Sequence, residues 1–287
     1  MTAMLHPQTK LGEVKLKVSK LERSIAFYEQ VIGLQLLSKE GNIAKLTTDG
    51  HNVLLILEEV ENAIVVPERR MSGLYHFAIL LPSREALAIT LQHLVEMNVH
   101  IGQADHLVSE ALYLSDPDGN GIEIYRDRPR TEWTYDEQGN VNMATIAIDW
   151  QGLLALAQGQ TWSGLPKDTV IGHVHFHVNN MTNSKQFYID VLGFKAEADL
   201  MRQMGALFVG AGGYHHHMGL NIWAGSNAPI PPSNSTGIDY FTIIVPNLEE
   251  LSLLKSRLDA AGVAVENKDG ALFLKDPNEI GIKLIVG

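Results

Sequence analysis

Glu123 stands in the run Ile122-Glu123-Ile124-Tyr125, one carboxylate in an apolar stretch that reads as a strand. Burying such a charge is costly unless something pairs with it, and a metal cation is one such partner. The chain has no cysteine, so a metal would have to be held by histidine and carboxylate. Twelve histidines are available, and they are unevenly placed. His173, His175 and His177 alternate in G-H-V-H-F-H, so on a strand all three imidazoles share one face. His215, His216 and His217 are consecutive, and His76 lies in the apolar run over 75–80. An imidazole titrates near neutral pH, so the same residues also suit acid–base work.

The elements that must position these groups follow from periodicity. Val14, Leu16 and Val18 alternate with Lys15 and Lys17, a half-buried strand. A helix over 21–31 follows, stopped by Gly33, and then strands near 34–39, 43–47 and 53–58. Residues 1–10 read as a loose arm. A second βαβββ unit has its first strand at 75–80, a helix over 84–97 and strands near 99–103, 110–115 and 121–126. The turn Asp116-Pro117-Asp118-Gly119-Asn120-Gly121 leads into the Glu123 strand. The pattern then returns. Phe27-Tyr28 and Gly33-Leu34 reappear as Phe187-Tyr188 and Gly193-Phe194, and Asp116-Pro117 reappears as Asp276-Pro277, all at an offset of 160. Repetition of this kind marks a duplicated architecture. The expected organisation is a domain at 9–127 (units one and two), a linker at 128–167 carrying a short helix at 150–157, and a domain at 168–287 (units three and four).

Composition narrows the partners. At 287 residues, 45% hydrophobic and 19% charged, the chain reads as ordinary globular protein with room for two cores. A net charge of −11 argues against nucleic acid or an anionic membrane surface as partner. No apolar run approaches the length of a membrane span, and no signal-peptide pattern opens the chain, which points to the cytoplasm.

Four βαβββ units with F-Y-x-x-V-[IL]-G after the first strand, and D-P-[DN] before the last, resemble the vicinal-oxygen-chelate superfamily. It includes glyoxalases, fosfomycin-resistance proteins and extradiol dioxygenases. The resemblance covers nearly the whole chain apart from the arm and the linker. It implies an α+β fold whose curved mixed sheets form a metal-binding cup. It also implies two ligand positions per unit, in the first and last strands. Unit one offers Glu13 there, unit two His76 and Glu123, unit three His173 and Asn221, and unit four Tyr240 and Lys283. The expected metal ligands are therefore His76, His173 and Glu123. Two histidines and one carboxylate on one face leave positions open, the arrangement of non-haem Fe(II) oxygenases. His173 is preferred over its neighbours because it lies seven residues before Asn180, as His76 lies seven before Ser83.

The string Y-L-S-D-P-D-G-N-G-I-E-I-Y over 113–125 resembles in particular the last module of extradiol catechol dioxygenases. That likeness implies Fe(II), with Mn(II) as the alternative ion, a catechol substrate, and O2. Tyr113 is then expected to donate a hydrogen bond to a substrate oxygen, with His106 meeting a substrate oxygen from the other side. One of the trio 215–217, His216 by preference, takes the acid–base role. His175, His215, His217 and Trp223 are expected near the substrate, with His177 structural, and residues 229–232 as a lid. In those enzymes the complete set falls on units three and four; here it falls on two and three. Units two and three are therefore expected to share a cup, the alternative being a site completed across a homo-oligomer. Two rival readings stand beside this one. A glyoxalase-like lyase or isomerase would use His76, Glu123 and Glu13, and a non-catalytic small-molecule binder would need no ligands at all.

Overall fold

The computed structural model describes residues 4–67 and 69–287. The first unit comprises β1 (Lys10–Val18), α1 (Leu21–Phe27), β2 (Gln35–Glu40), β3 (Ile43–Thr47) and β4 (Leu55–Glu59). The second comprises β5 (Gly73–Leu80), α2 (Arg84–Glu96), β6 (Gly102–Asp105), β7 (Ser109–Ser115) and β8 (Gly121–Asp127). A connecting stretch carries α3 (Trp150–Ala157). The third unit has β9 (Val170–His177), α4 (Met181–Lys185), β10 (Lys195–Leu200), α5 (Met201–Met204), β11 (Ala206–Gly210) and β12 (Met218–Asn221). The fourth has β13 (Gly237–Val245), α6 (Leu248–Ala260), β14 (Glu266–Lys268), β15 (Ala271–Lys275) and β16 (Gly281–Val286). The fold is α+β with four βαβββ units, as expected.

Two eight-stranded mixed sheets result. One runs β14-β15-β16-β13-β1-β4-β3-β2, the other β10-β11-β12-β9-β5-β8-β7-β6. Unit one thus joins unit four, and unit two joins unit three. Within each unit the first strand pairs in parallel with the last. The units join through antiparallel seams, β1 with β13 and β5 with β9. Period-two alternation sends Phe77, Ile79, Ile122, Ile124, Val174 and Phe176 into the main core. Phe176 of one sheet meets Phe241 of the other at 5.4 Å. The opposite face of β5, β8 and β9 carries the histidines and Glu123.

The repeated motifs bond to each other. Tyr28 donates its hydroxyl to Asp116 Oδ2, and Tyr188 donates to Asp276 Oδ2, both at 3.0 Å and both buried. Each aspartate also accepts the backbone N–H groups of its own turn, Asp118 and Asn120 in one case and Asn278 and Ile280 in the other. The matching F-Y and D-P signals are therefore two halves of one latch, which ties unit one to unit two and unit three to unit four. Gly121, where β8 begins, is a close-approach position: a Cβ there would lie 2.0 Å from the Tyr75 carbonyl oxygen.

Three local expectations change. Part of the arm falls outside the described residues, at 1–3. The rest is pinned at two points: Leu5 and Thr9 are buried, and the Leu5 N–H bonds to the Gly193 carbonyl at 2.8 Å. The helix over 21–31 is α-helical only to Phe27 and then makes a π-turn, Tyr28–Ile32, ended by Gly33 at φ 89°. The wider turn brings both Tyr28 and Ile32 inside. The strand expected at 99–103 starts at Gly102, because the chain first turns through Asn98 at φ 54° and Val99 closes back on Leu94.

Glu110 of β7 anchors the connecting stretch. It is buried and accepts hydrogen bonds from Arg84 Nε at 2.9 Å and Arg126 Nε at 2.7 Å. Arg84 also reaches Asp149, the N-cap of α3, at 3.0 Å. Burial opposes the charge on Glu110, but the bonds from Arg84 and Arg126 outweigh it and lower its pKa. A depressed carboxylate pKa contributes stability above the unfolded value, about 4.3, and that contribution is lost as pH falls through the folded pKa. Glu110→Ala should cost about 3 kcal/mol in urea titrations at neutral pH, since it strands Arg126. The melting temperature of the unaltered chain should fall on acidification below pH about 5, and that of Glu110→Gln should fall less.

Candidate metal centre

Register builds the site in two rows across one sheet. Tyr113 pairs with Glu123, Glu123 with Ala78, and Ala78 with His173, on β7, β8, β5 and β9. The next row runs Gly121, His76, His175, Gly219 on β8, β5, β9 and β12. In the first row the small Ala78 separates Glu123 from His173, so the two longer side chains meet above its methyl group. In the second, Gly219 leaves room for an imidazole: a Cβ there would lie 2.7 Å from His175 Cγ.

The side chains of His76, Glu123 and His173 converge, with one donor atom from each within 4.8 Å of the others. His173 Nε2 and His76 Nε2 both lie 3.1 Å from Glu123 Oε2. Metal–ligand bonds of about 2.1 Å at right angles put neighbouring donor atoms about 3 Å apart. The three groups are buried, and His76 Nε2, poorly angled toward the carboxylate, has no hydrogen-bond partner. An orphaned imidazole nitrogen beside a carboxylate and a second imidazole is the donor set of a divalent transition ion. Burial opposes the charge on Glu123, but His173 and His76 outweigh it and hold the carboxyl well below its ordinary range. Burial likewise lowers His173, and drives His175 and His216 far down, which favours the neutral imidazoles that bind metals.

The surrounding groups form hydrogen-bond chains. His106 Nδ1 lies 2.7 Å from the Ala144 carbonyl oxygen, which can only accept. His106 Nε2 lies 2.6 Å from the Tyr113 hydroxyl, which also bonds toward Glu123. Both His106 nitrogens are thus engaged by the protein. Burial, and then the charge of Glu123, raise the Tyr113 hydroxyl well above its usual range, so it stays neutral.

Asn221 Oδ1 accepts the Trp223 backbone N–H at 3.0 Å, so its amide nitrogen faces His175 Nε2, at 2.9 Å. The same oxygen takes the proton of His177 Nδ1 at 2.6 Å. His175 stands edge-on to His76 at 5.0 Å and lies 5.4 Å from Trp223. His216 lies 4.2 Å from the His173 ring. His217 instead accepts the Ala211 N–H and packs on Tyr214 and Phe194, with burial pushing it down to about 3. Sequence reasoning missed Asp127, which holds His215 by a hydrogen bond and has no sequence signal of its own; Asn221, placed by sequence at the last-strand position of unit three, holds His175.

A cavity of about 810 Å³ meets the site at Tyr75, His76, Tyr113 and His177. Glu123 and His173 lie beyond its wall. Ile230, Pro231 and Pro232 line it, and Ser72 holds the segment through the Pro229 carbonyl at 2.9 Å. In the other sheet, the equivalent face is filled by ion pairs. Lys283 pairs with Glu13 at 2.6 Å, and Lys15 with Glu58 at 2.6 Å and Asp239 at 3.0 Å. The alternative ligand set with Glu13 is thus divided between two sheets, its carboxylate already neutralised.

The sheet order and the converging His, His and Glu define a metal-chelating cup on paired βαβββ units, and the chain belongs to the Glyoxalase/Bleomycin resistance protein/Dioxygenase superfamily, whose profile matches residues 10–124 and 170–284. It is similar to catechol-2,3-dioxygenase of Bacillus subtilis (strain 168), with 53% identity over 273 residues covering 95% of each chain. Among solved structures it resembles one from Bacillus subtilis subsp. subtilis str. 168, with TM-score 0.68 and 13% identity over 99% of this chain and 86% of the other. Glyoxalase I from Zea mays has TM-score 0.54 and 13% identity over 97% of this chain and 92% of its own. At such identities the structural likeness concerns the fold alone. No helix among the described residues is long and apolar enough to cross a membrane.

Metal content after dialysis tests the triad. His76→Ala and Glu123→Ala should each lose the ion, whereas Lys283→Ala should keep it. Ala78→Val should weaken retention at least about tenfold by wedging Glu123 from His173, with an unchanged far-UV spectrum.

Proposed function

We propose that the chain is an extradiol-type dioxygenase that opens a catechol ring beside its two hydroxyls, with O2 as the second substrate and Fe(II) on His76, His173 and Glu123. The observation that carries this reading is the convergence of two imidazoles and one carboxylate on one face, next to a cavity large enough for an aromatic ring. The similarity to a catechol-2,3-dioxygenase over nearly the whole chain supports it. The ion would lower the pKa of a chelated hydroxyl and supply the redox chemistry toward dioxygen. Mn(II) is the other ion this ligand set suits.

The chain's own groups account for the rest. His76, on the cavity wall, puts the triad within reach of a substrate entering there. Tyr113, bonded to His106, turns its hydroxyl toward a substrate oxygen. His216, beside His173, is the acid–base group that takes the second hydroxyl's proton. His175, held by Asn221, keeps its own proton on Nδ1 and orients the substrate as a donor. Tyr75, on the cavity wall, packs edge-to-face with Trp223 at 5.3 Å.

The test is anaerobic loading with Fe(II), addition of catechol, and then air. A yellow ring-fission product should appear. No turnover with a panel of catechols, or full activity with Zn(II) in place of iron, would refute the assignment. Tyr113→Phe should lower kcat about a hundredfold and leave the metal content unchanged.

A further inference from the structure

A second hydrogen-bond chain runs from the end of β8 to a histidine beside the candidate metal centre, and it contains a residue with no assigned role. Asp127 ends β8, and its Oδ1 lies 2.9 Å from His215 Nε2. A carboxylate can only accept, so His215 Nε2 carries the proton. His215 Nδ1 lies 2.8 Å from His216 Nδ1, and one of these two nitrogens must carry the proton between them. A His215 ring that carries only that one proton has a bare Nδ1, and His216 then donates. Among the described residues no hydrogen bond engages His216 Nε2, on a ring 4.2 Å from that of His173. The His215 ring is held on two sides, by Tyr214 at 4.3 Å and by Trp133 of the connecting stretch at 5.4 Å. Packing therefore sets the plane of the ring while Asp127 sets which nitrogen is protonated. The Tyr214 hydroxyl also faces Asp127, and it bonds on to Tyr125 at 2.7 Å. In the other sheet the position that repeats Asp127 is Gly287, so only this cup has the device.

We propose that Asp127 and His215 are a positioning pair that locks His216 in the tautomer with its proton on Nδ1, leaving Nε2 bare as the acceptor for a substrate hydroxyl. This rests on the dioxygenase reading for the identity of the substrate, but the tautomer itself does not. The logic is that of any carboxylate that orients an imidazole through a hydrogen bond: removing the charge keeps the shape and loses the proton's address.

The experiment reads the tautomer directly. Protein with 15N-labelled histidine is loaded with diamagnetic Zn(II), and two-bond 1H–15N spectra are recorded. His216 should show a protonated Nδ1 and a bare Nε2, whether or not the chain turns over catechols, so failure of the functional assignment and failure of this one are separable. Asp127→Asn should give a mixture of His216 tautomers. Loaded with Fe(II), it should lose at least about tenfold in kcat with KM and metal content unchanged, and Asp127→Glu should recover part of the rate. A proton on His216 Nε2 in the unaltered protein overturns the proposal, as does an Asp127→Asn variant with the same tautomer and the same kcat.

Discussion

The register of β8, β5 and β9 is the constraint on which the site depends. Each strand contributes one alternating face, and a slip by one residue would send Glu123 or His173 into the apolar core and bring an isoleucine or valine to the cup. Glu123 and His173 come from different units and lie 50 residues apart in sequence. They meet because Ala78 sits between them in the row, with a side chain short enough to let the other two close above it. The glycines at 121 and 219 play the complementary part in the neighbouring row. Gly121 lets β8 approach Tyr75, and Gly219 lies under the His175 ring.

The two sheets are built on one plan and differ in what fills their equivalent faces. In the sheet of units one and four, lysines meet carboxylates, so the charges neutralise each other. In the sheet of units two and three, a carboxylate faces imidazoles, and His76 Nε2 is left without a hydrogen-bond partner. Burying a charge requires compensation in either case. One face supplies it internally, while the other leaves a buried nitrogen that a cation could engage. The latches from Tyr28 to Asp116 and from Tyr188 to Asp276 hold both sheets together, because each latch ties a unit of one sheet to a unit of the other.

The stretch between the second and third units is part of this arrangement. Ala144 orients His106, and through it Tyr113; Trp133 packs on His215. The Arg84–Glu110–Arg126 cluster and Asp149 fasten the same stretch to β7 and α2. Stability and site geometry therefore share a set of contacts.

Much of this was legible in the chain itself. The duplicated F-Y and D-P motifs marked four βαβββ units, alternation put His173, His175 and His177 on one face, and the carboxylate between isoleucines identified Glu123 as needing a partner. These signals are local, since they depend on period and spacing along a single strand. The ligand inventory led to the expectation that units two and three share a cup, but which units pair is a matter of long-range strand order, and the tertiary structure decided between that and a site across two subunits. Hydrogen-bond partners were equally hidden. That Tyr113 bonds to His106, that Asn221 holds His175, and that Asp127 reaches His215 depend on atoms brought within 3 Å across many residues. Residue types and spacing determined the ligand inventory; the seam between β5 and β9 decided that the inventory becomes one centre, because only antiparallel pairing there places His173 beside Ala78 and His175 beside His76.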